Sequence, residues 1–226
     1  RIMISLLRNF TGTDLIIAGI AMLLTLIISL SMHELAHAFV AYKNGDDTAK
    51  LMGRLTLNPI AHLDPMGLLF CIIFGFGWAK PVPVNPLKFK KYRSGMAWVS
   101  VAGVITNYIL AFFSYLGYVL CVRFVVNYNY FFIFLELFFY LMFSLNIMLF
   151  VFNLLPLYPL DGFNLVNSFT RENNKFINFA KEKGPITLLC ILIFDDILYF
   201  TIGVSILQCI VEFVSLPITL LLGLII

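Results

Sequence analysis

Apolar runs and polar interruptions alternate along this chain on the length scale of a lipid bilayer. Residues 15–32, 94–122 and 137–160 carry no formal charge, and each reaches the roughly 18 to 20 residues that a helix needs to span a bilayer. Three spanning helices are predicted. The third should run from about Phe131 to Leu155 and stop at Asn153-Leu-Leu-Pro-Leu-Tyr-Pro-Leu-Asp-Gly162, where the prolines cannot continue it. Residues 184–226 are long enough for two more passes, interrupted by Asp195, Asp196 and Glu212, and read as a helical hairpin. The two aspartates are expected at an interface or a helix break between the passes. Met66 to Ala79 is apolar but too short for an upright span, so it reads as re-entrant or partly inserted.

Two stretches between the first and second spans break the helical pattern. Arg54-Leu-Thr-Leu-Asn58 and Pro81-Val-Pro-Val-Asn85 read as short extended pieces, because alternation and flanking prolines disfavour helix there. The expected fold is an all-α polytopic membrane protein with a small extended or β element near one face. It forms a single membrane-embedded domain over 1–226, with its core at about 12–170 and the hairpin at about 184–226.

Composition agrees: 61% hydrophobic residues against 12% charged ones, and a mean hydropathy of +0.96, exclude an ordinary soluble domain. The first apolar run is full-length, so it reads as a retained helix and not as a cleaved signal peptide. The net charge is only +3, yet twelve of the fifteen Lys and Arg fall in three loops, at 43–54, 80–93 and 171–183. Basic residues flanking spans mark the cytoplasmic side, which puts the N-terminus outside, a short outer turn around Asn127–Asn129, and these three loops inside. The basic residues lack an aromatic or helical recognition pattern, so no nucleic-acid partner is expected. Cys71, Cys121, Cys190 and Cys209 lie in apolar segments without paired spacing and read as free thiols.

Candidate chemistry lies at the inner end of the first span, in His33-Glu-Leu-Ala-His37. Residues four apart on a helix are separated by about 40° around the axis and one turn along it, so both imidazoles can reach one ion. Zinc suits the pair, and Glu34 can take the proton of a bound water. Ionisable groups in a span are costly and usually functional. A third ligand is needed, from among His62, Asp64, Asp161 and, less plausibly, Asp46 and Asp47. Asp161 is favoured, because it follows the inner end of a descending helix, with Pro156 and Pro159 fixing the approach and Gly162 permitting a tight turn. The competing reading of Asp161 is a helix N-cap.

HELAH followed by GRLTLNPIAHLDPMG, GWAKPVPVNP, AGVITN and NLLPLYPLDG resembles the site-2 protease family of intramembrane zinc metalloproteases, over roughly residues 15–170. The resemblance is to its short branch without a PDZ or other appended regulatory domain. It implies zinc held by His33, His37 and Asp161, with Glu34 as general base, on a core of three helices. It also implies hydrolysis of peptide bonds within or near the transmembrane helices of membrane-protein substrates, as in regulated intramembrane proteolysis. Asn107 matches the asparagine of an AGPxxN-like motif and is a candidate for the substrate backbone or the developing oxyanion. The proline usual there is Val104 in this chain. Asn153 is a candidate to hydrogen-bond an extended substrate or to satisfy carbonyls freed by the prolines, and His62 to support the site from behind. A substrate unwound from its helix can pair with the edges around Leu55 or Val82. A bacterial or archaeal plasma membrane, with the active site towards the cytoplasm, fits the charge pattern. The rival from another class is a zinc-dependent membrane channel or transporter, whose polar residues should recur along several helices; outside the motifs the spans here are almost uniformly apolar.

Overall fold

The computed structural model describes residues 12–74, 77–124, 129–170 and 174–224. Arg1, Arg8, Arg171, residues 127–128 of the expected outer turn, residues 75–76 of the short apolar run and the Cys71 side chain lie outside them. In chain order the helices are α1 (Thr13–Lys43), α2 (Thr48–Leu51), α3 (Pro65–Phe74), α4 (Tyr92–Phe124), α5 (Tyr130–Leu154), α6 (Asp161–Phe169), α7 (Lys175–Ile202) and α8 (Ile206–Gly223). Single 3-10 turns occupy Pro59–Ala61 and Pro86–Lys88. Among the described residues, α1, α4, α5, α7 and α8 are long and apolar enough to cross a membrane. The chain is an integral, multi-pass, all-α membrane protein.

α1 shows how a lipid-facing sequence selects its buried face. Large side chains such as Leu15, Ile16, Ile20 and Leu23 are exposed, whereas Ala18, Ala21, Met22, Thr25, Leu26, Ser29, His33 and His37 form the buried stripe at helical spacing. Lipid tails are as apolar as leucine, so the inner face is selected by close approach, and small residues supply it. With 31 residues the helix is about 46 Å long, well beyond a hydrocarbon core of about 30 Å. His33 and His37 therefore fall towards its far end.

α4 packs along α1, α5 and α6, α1 packs against α5, and α8 leans on α4 and α5. Ala21, Met22 and Leu26 of α1 meet Leu141 and Leu145 of α5, and Ala111 and Val119 of α4 meet Phe143, Ile147 and Val151 of α5 with Ile218 and Leu222 of α8. A buried polar contact ties α1 to α5: the Asn146 Nδ2 donates to Ser29 Oγ at 2.8 Å and to Met142 O at 2.8 Å, and Ser29 Oγ in turn donates to Met142 Sδ at 3.6 Å.

Two expectations change in detail and one is narrowed. The extended element contains no ladder among the described residues; Leu63 and Ala79 form one antiparallel bridge, and residues 81–85 form no regular element and meet α1 through the Val82 N–H on Glu34. Prolines at 81 and 83 remove the donors that a ladder would need. The first pass of the hairpin begins at Lys175, so Glu182, Lys183 and Pro185 lie within α7. Of the two places expected for Asp195, it takes the interface between the passes: it sits inside α7 and accepts hydrogen bonds from Ser205 Oγ and from Ile206 and Leu207 N–H, satisfying the first free amides of α8. The break is at residues 203–205. Cys121, Cys190 and Cys209 are free thiols.

Replacing Asn146 with Leu should destabilise the bundle by about 1 kcal/mol, the scale of interhelical hydrogen bonds in membranes. Unfolding of the purified protein in mixed micelles measures the difference from wild type.

Candidate metal centre

Three elements converge at one end of the bundle. α1 brings His33 and His37 one turn apart on its buried stripe. The Pro156 to Leu160 turn after α5 delivers Asp161, which is not the N-cap of α6 but its first residue, one position after the N-cap Leu160. Its carboxylate points at the histidines instead: Oδ2 lies 3.2 Å from His33 Nε2 and 3.1 Å from His37 Nε2, and the two nitrogens are 3.0 Å apart. Gly162 makes this placement possible, since a Cβ there would come within 2.3 Å of Leu154 O and 2.5 Å of Leu155 O. Among the described residues, His33, His37 and Asp161 are the cluster able to hold a metal ion.

The other candidates for a third ligand are engaged elsewhere. His62 is fully buried, with Nε2 2.8 Å from Thr56 O. Asp64 Oδ1 accepts the Gly67 N–H at the start of α3. Asp46 accepts two main-chain N–H groups, of Thr48 and Asn85, and Asp47 pairs with Lys88 at the surface. The Lys88 hydrogen bond holds the Asp47 carboxyl below its usual range.

A metal fits the triangle. Four ligands about 2.0 Å from a zinc ion at tetrahedral angles lie about 3.3 Å from one another, close to the spacing seen here. Two imidazole nitrogens and one carboxylate oxygen are a donor set that zinc accepts. His37 Nδ1 lies 2.7 Å from Val99 O. A carbonyl only accepts, so Nδ1 carries the ring proton and Nε2 keeps the lone pair that a metal needs.

α4 closes the site from the third side. Gly103 lies directly over the imidazoles: a Cβ would fall 2.5 Å from both His33 Cε1 and His37 Nε2. One turn on, the fully buried Asn107 brings its amide 3.1 Å from His33 Nδ1. The atom beside His33 Nδ1 is Asn107 Nδ2; when His33 Nε2 is a ligand its proton is on Nδ1, and a half-turn of the Asn107 carboxamide brings Oδ1, otherwise buried without a partner, round as the acceptor. Glu34 accepts the Val82 N–H through Oε2 at 2.8 Å. Asn153 is half-buried in the last turn of α5. The pattern reading had no access to the Val99 carbonyl, the Val82 amide or the Gly103 contact; for Gly103 alone a signal existed, four residues before Asn107 on the same helix face.

A model of peptidase family M50 matches residues 21–194. A Bacillus subtilis (strain 168) protein named "Putative zinc metalloprotease YwhC" is 52% identical over 146 residues, covering 64% of this chain and 67% of the relative. "Putative zinc metalloprotease Rip2" of Mycolicibacterium smegmatis (strain ATCC 700084 / mc(2)155) is 36% identical over 90 residues, 38% of this chain and 34% of the relative. No solved structure matches the chain.

Two substitutions probe this geometry. Gly103→Ala forces the imidazoles apart and should weaken zinc binding about tenfold or more, and Asn107→Leu should weaken it about 10- to 100-fold, as loss of a partner behind a ligand does. Competition with a chelator of known affinity measures both, and circular dichroism checks that the helices persist.

Proposed function

The chain belongs to peptidase family M50, as a zinc metallopeptidase of site-2 protease type set in the membrane, and on that premise we propose that it cuts membrane-protein substrates at peptide bonds within or near their transmembrane helices. The observation that carries this reading is the ligand triangle itself, buried at one end of spanning helices with Glu34 between the two histidines in sequence. A site for cleaving soluble chains has no need of that position, where burial of ionisable groups is costly.

Zinc bound at the triangle supplies a Lewis acid and brings the pKa of a water towards neutrality. Glu34 takes the proton of the attacking water and later delivers it to the leaving amine. His37, fixed by Val99, and His33, fixed by Asn107, are held in the tautomer with Nε2 free. That bond engages the Asn107 amide, so we assign Asn107 to positioning His33 in preference to steadying the oxyanion. Asn153 makes no side-chain hydrogen bond among the described residues, which leaves its amide free for the backbone of an extended substrate. The substrate's own helix must open first, because a helix hides its amides from attack. Glu34 already takes the Val82 N–H, which speaks against an added substrate strand at that edge.

The loops bearing Lys43, Lys50, Lys80, Lys88, Lys90, Lys91 and Arg93 lie at the ligand end of the bundle. By the bias of basic residues towards the cytoplasm, the site faces that side, in a bacterial or archaeal plasma membrane. We place the activity in regulated intramembrane proteolysis.

The test is reconstitution of the purified protein with single-span substrates, with products located by mass spectrometry. Glu34→Gln should lower cleavage about 100- to 10,000-fold, the range for loss of a general base, while zinc remains bound, and chelation should abolish cleavage. Full activity of Glu34→Gln with zinc in place would remove the assignment of the base.

A further inference from the structure

Outside the metal cluster, two buried ionisable side chains of opposite sign, Arg54 and Asp46, hydrogen-bond to the main chain at the two ends of one short segment. Arg54, 6% exposed, donates through Nη2 to Lys80 O and Pro81 O. Asp46, fully buried, accepts the Asn85 N–H through Oδ2 at 2.6 Å and the Thr48 N–H through Oδ1 at 3.0 Å. Neither belongs to the ligand set. Burying such groups is costly unless their hydrogen bonds are made, so the segment they hold should matter for more than packing.

That segment, Lys80–Asn85, is a strap across the inner end of α1. Its start is fixed by the Leu63–Ala79 bridge and by the Lys80 N–H on His62 O at 2.9 Å. His62 is itself anchored to Thr56 O. Pro81 and Pro83 have no N–H, so within residues 81–83 Val82 is the one donor the sequence provides, and it goes to Glu34 Oε2 at 2.8 Å.

We propose that the strap is a positioning device for the catalytic base. The Val82 N–H holds one carboxylate oxygen of Glu34 and leaves the other to face the water, and Arg54 and Asp46 are positioning residues that fix the strap. The inference rests on Glu34 being the base. The terminal torsion of a glutamate side chain is broad, and a base must lie within hydrogen-bond reach of the proton it takes. A main-chain donor clamped at both ends fixes that torsion without a rotamer of its own, and misplacement by about 1 Å can cost about 100-fold in rate. The flanking prolines keep the neighbouring backbone from offering a competing donor.

The experiment uses the full chain, zinc-loaded and reconstituted with a single-span substrate. Val82→Pro removes the N–H at a position that Pro83 already biases towards extended backbone. The expected result is a kcat lower by about 10- to 100-fold, with KM within about twofold of wild type, zinc stoichiometry unchanged and the unfolding midpoint preserved. Asp46→Asn should lower kcat in the same way, and it carries the test by the same criteria if Val82→Pro does not accumulate as folded protein. An unchanged kcat overturns the proposal. So does a rise in KM at constant kcat, which would make the strap a substrate edge, or a fall in activity matched by loss of zinc, which would make it merely structural. Glu34→Gln separates the two readings: if it stays active, the base assignment fails and takes this inference with it. If it is inactive while Val82→Pro is like wild type, only the strap's role fails.

Discussion

Two imidazole nitrogens and a carboxylate oxygen at 3.0 to 3.2 Å from one another turn lone pairs towards a common point. In a poorly screened interior that crowding is unfavourable unless a cation occupies the point. The arrangement therefore depends on packing strong enough to hold the ligands before the metal's binding energy is available, and the architecture can be read as the means of holding them. α1 supplies two ligands from one rigid helix, so their spacing is set by helical geometry alone. Asp161 comes from a different element and needs its own supports: the prolines that end α5, Gly162 against the last carbonyls of α5, and the Asn146–Ser29 contact that ties α5 to α1.

The centre is asymmetric in how its ligands are oriented. His37 is oriented by a main-chain carbonyl of α4 and His33 by a side-chain amide one helical segment further along it. α4 thus contributes no ligand and yet governs both imidazoles, and it can do so only because Gly103 lets its backbone come within contact distance. A helix without a charge in its span turns out to set the tautomers on which metal binding depends.

Much of this was legible in the sequence, for identifiable physical reasons. The bilayer imposes a length on apolar runs, so the spans could be read; HELAH carries its own geometry because four residues make about one helical turn; Asp161 followed from the prolines that end a span at the right depth. What was not legible consists of contacts made by main-chain atoms, which every residue possesses and which composition cannot distinguish: Val99 O, Val82 N–H, and the carbonyls that Arg54 holds. The boundary of α7 was misplaced for a related reason. Glu182, Lys183 and Pro185 look like the end of a loop, but at an interface charged side chains can reach out to water, and a proline can be accommodated within a membrane helix. For Asp195 the sequence left an interface and a break open, because a bare carboxylate in a span is costly; three donors from Ser205, Ile206 and Leu207 across the α7–α8 interface remove that cost.

The position of the centre along α1 reconciles two demands that oppose each other. On the proposed function, hydrolysis needs water and a charged base, whereas the substrate comes from hydrocarbon. Placing His33 about 30 Å from the start of a helix about 46 Å long puts the metal where the apolar stripe gives way to the polar loops, so the ligands remain buried among helices while the base is reached from the loop side. The group that reaches it is the Val82 N–H of the strap, not a loop side chain. A flexible side chain there would lose conformational freedom each time it engaged Glu34, and a mobile loop would admit water on every face of the carboxylate. A proline-flanked main-chain segment, anchored by Arg54 at one end and Asp46 at the other, meets Glu34 with a single fixed donor and leaves the rest of its surroundings to the metal centre.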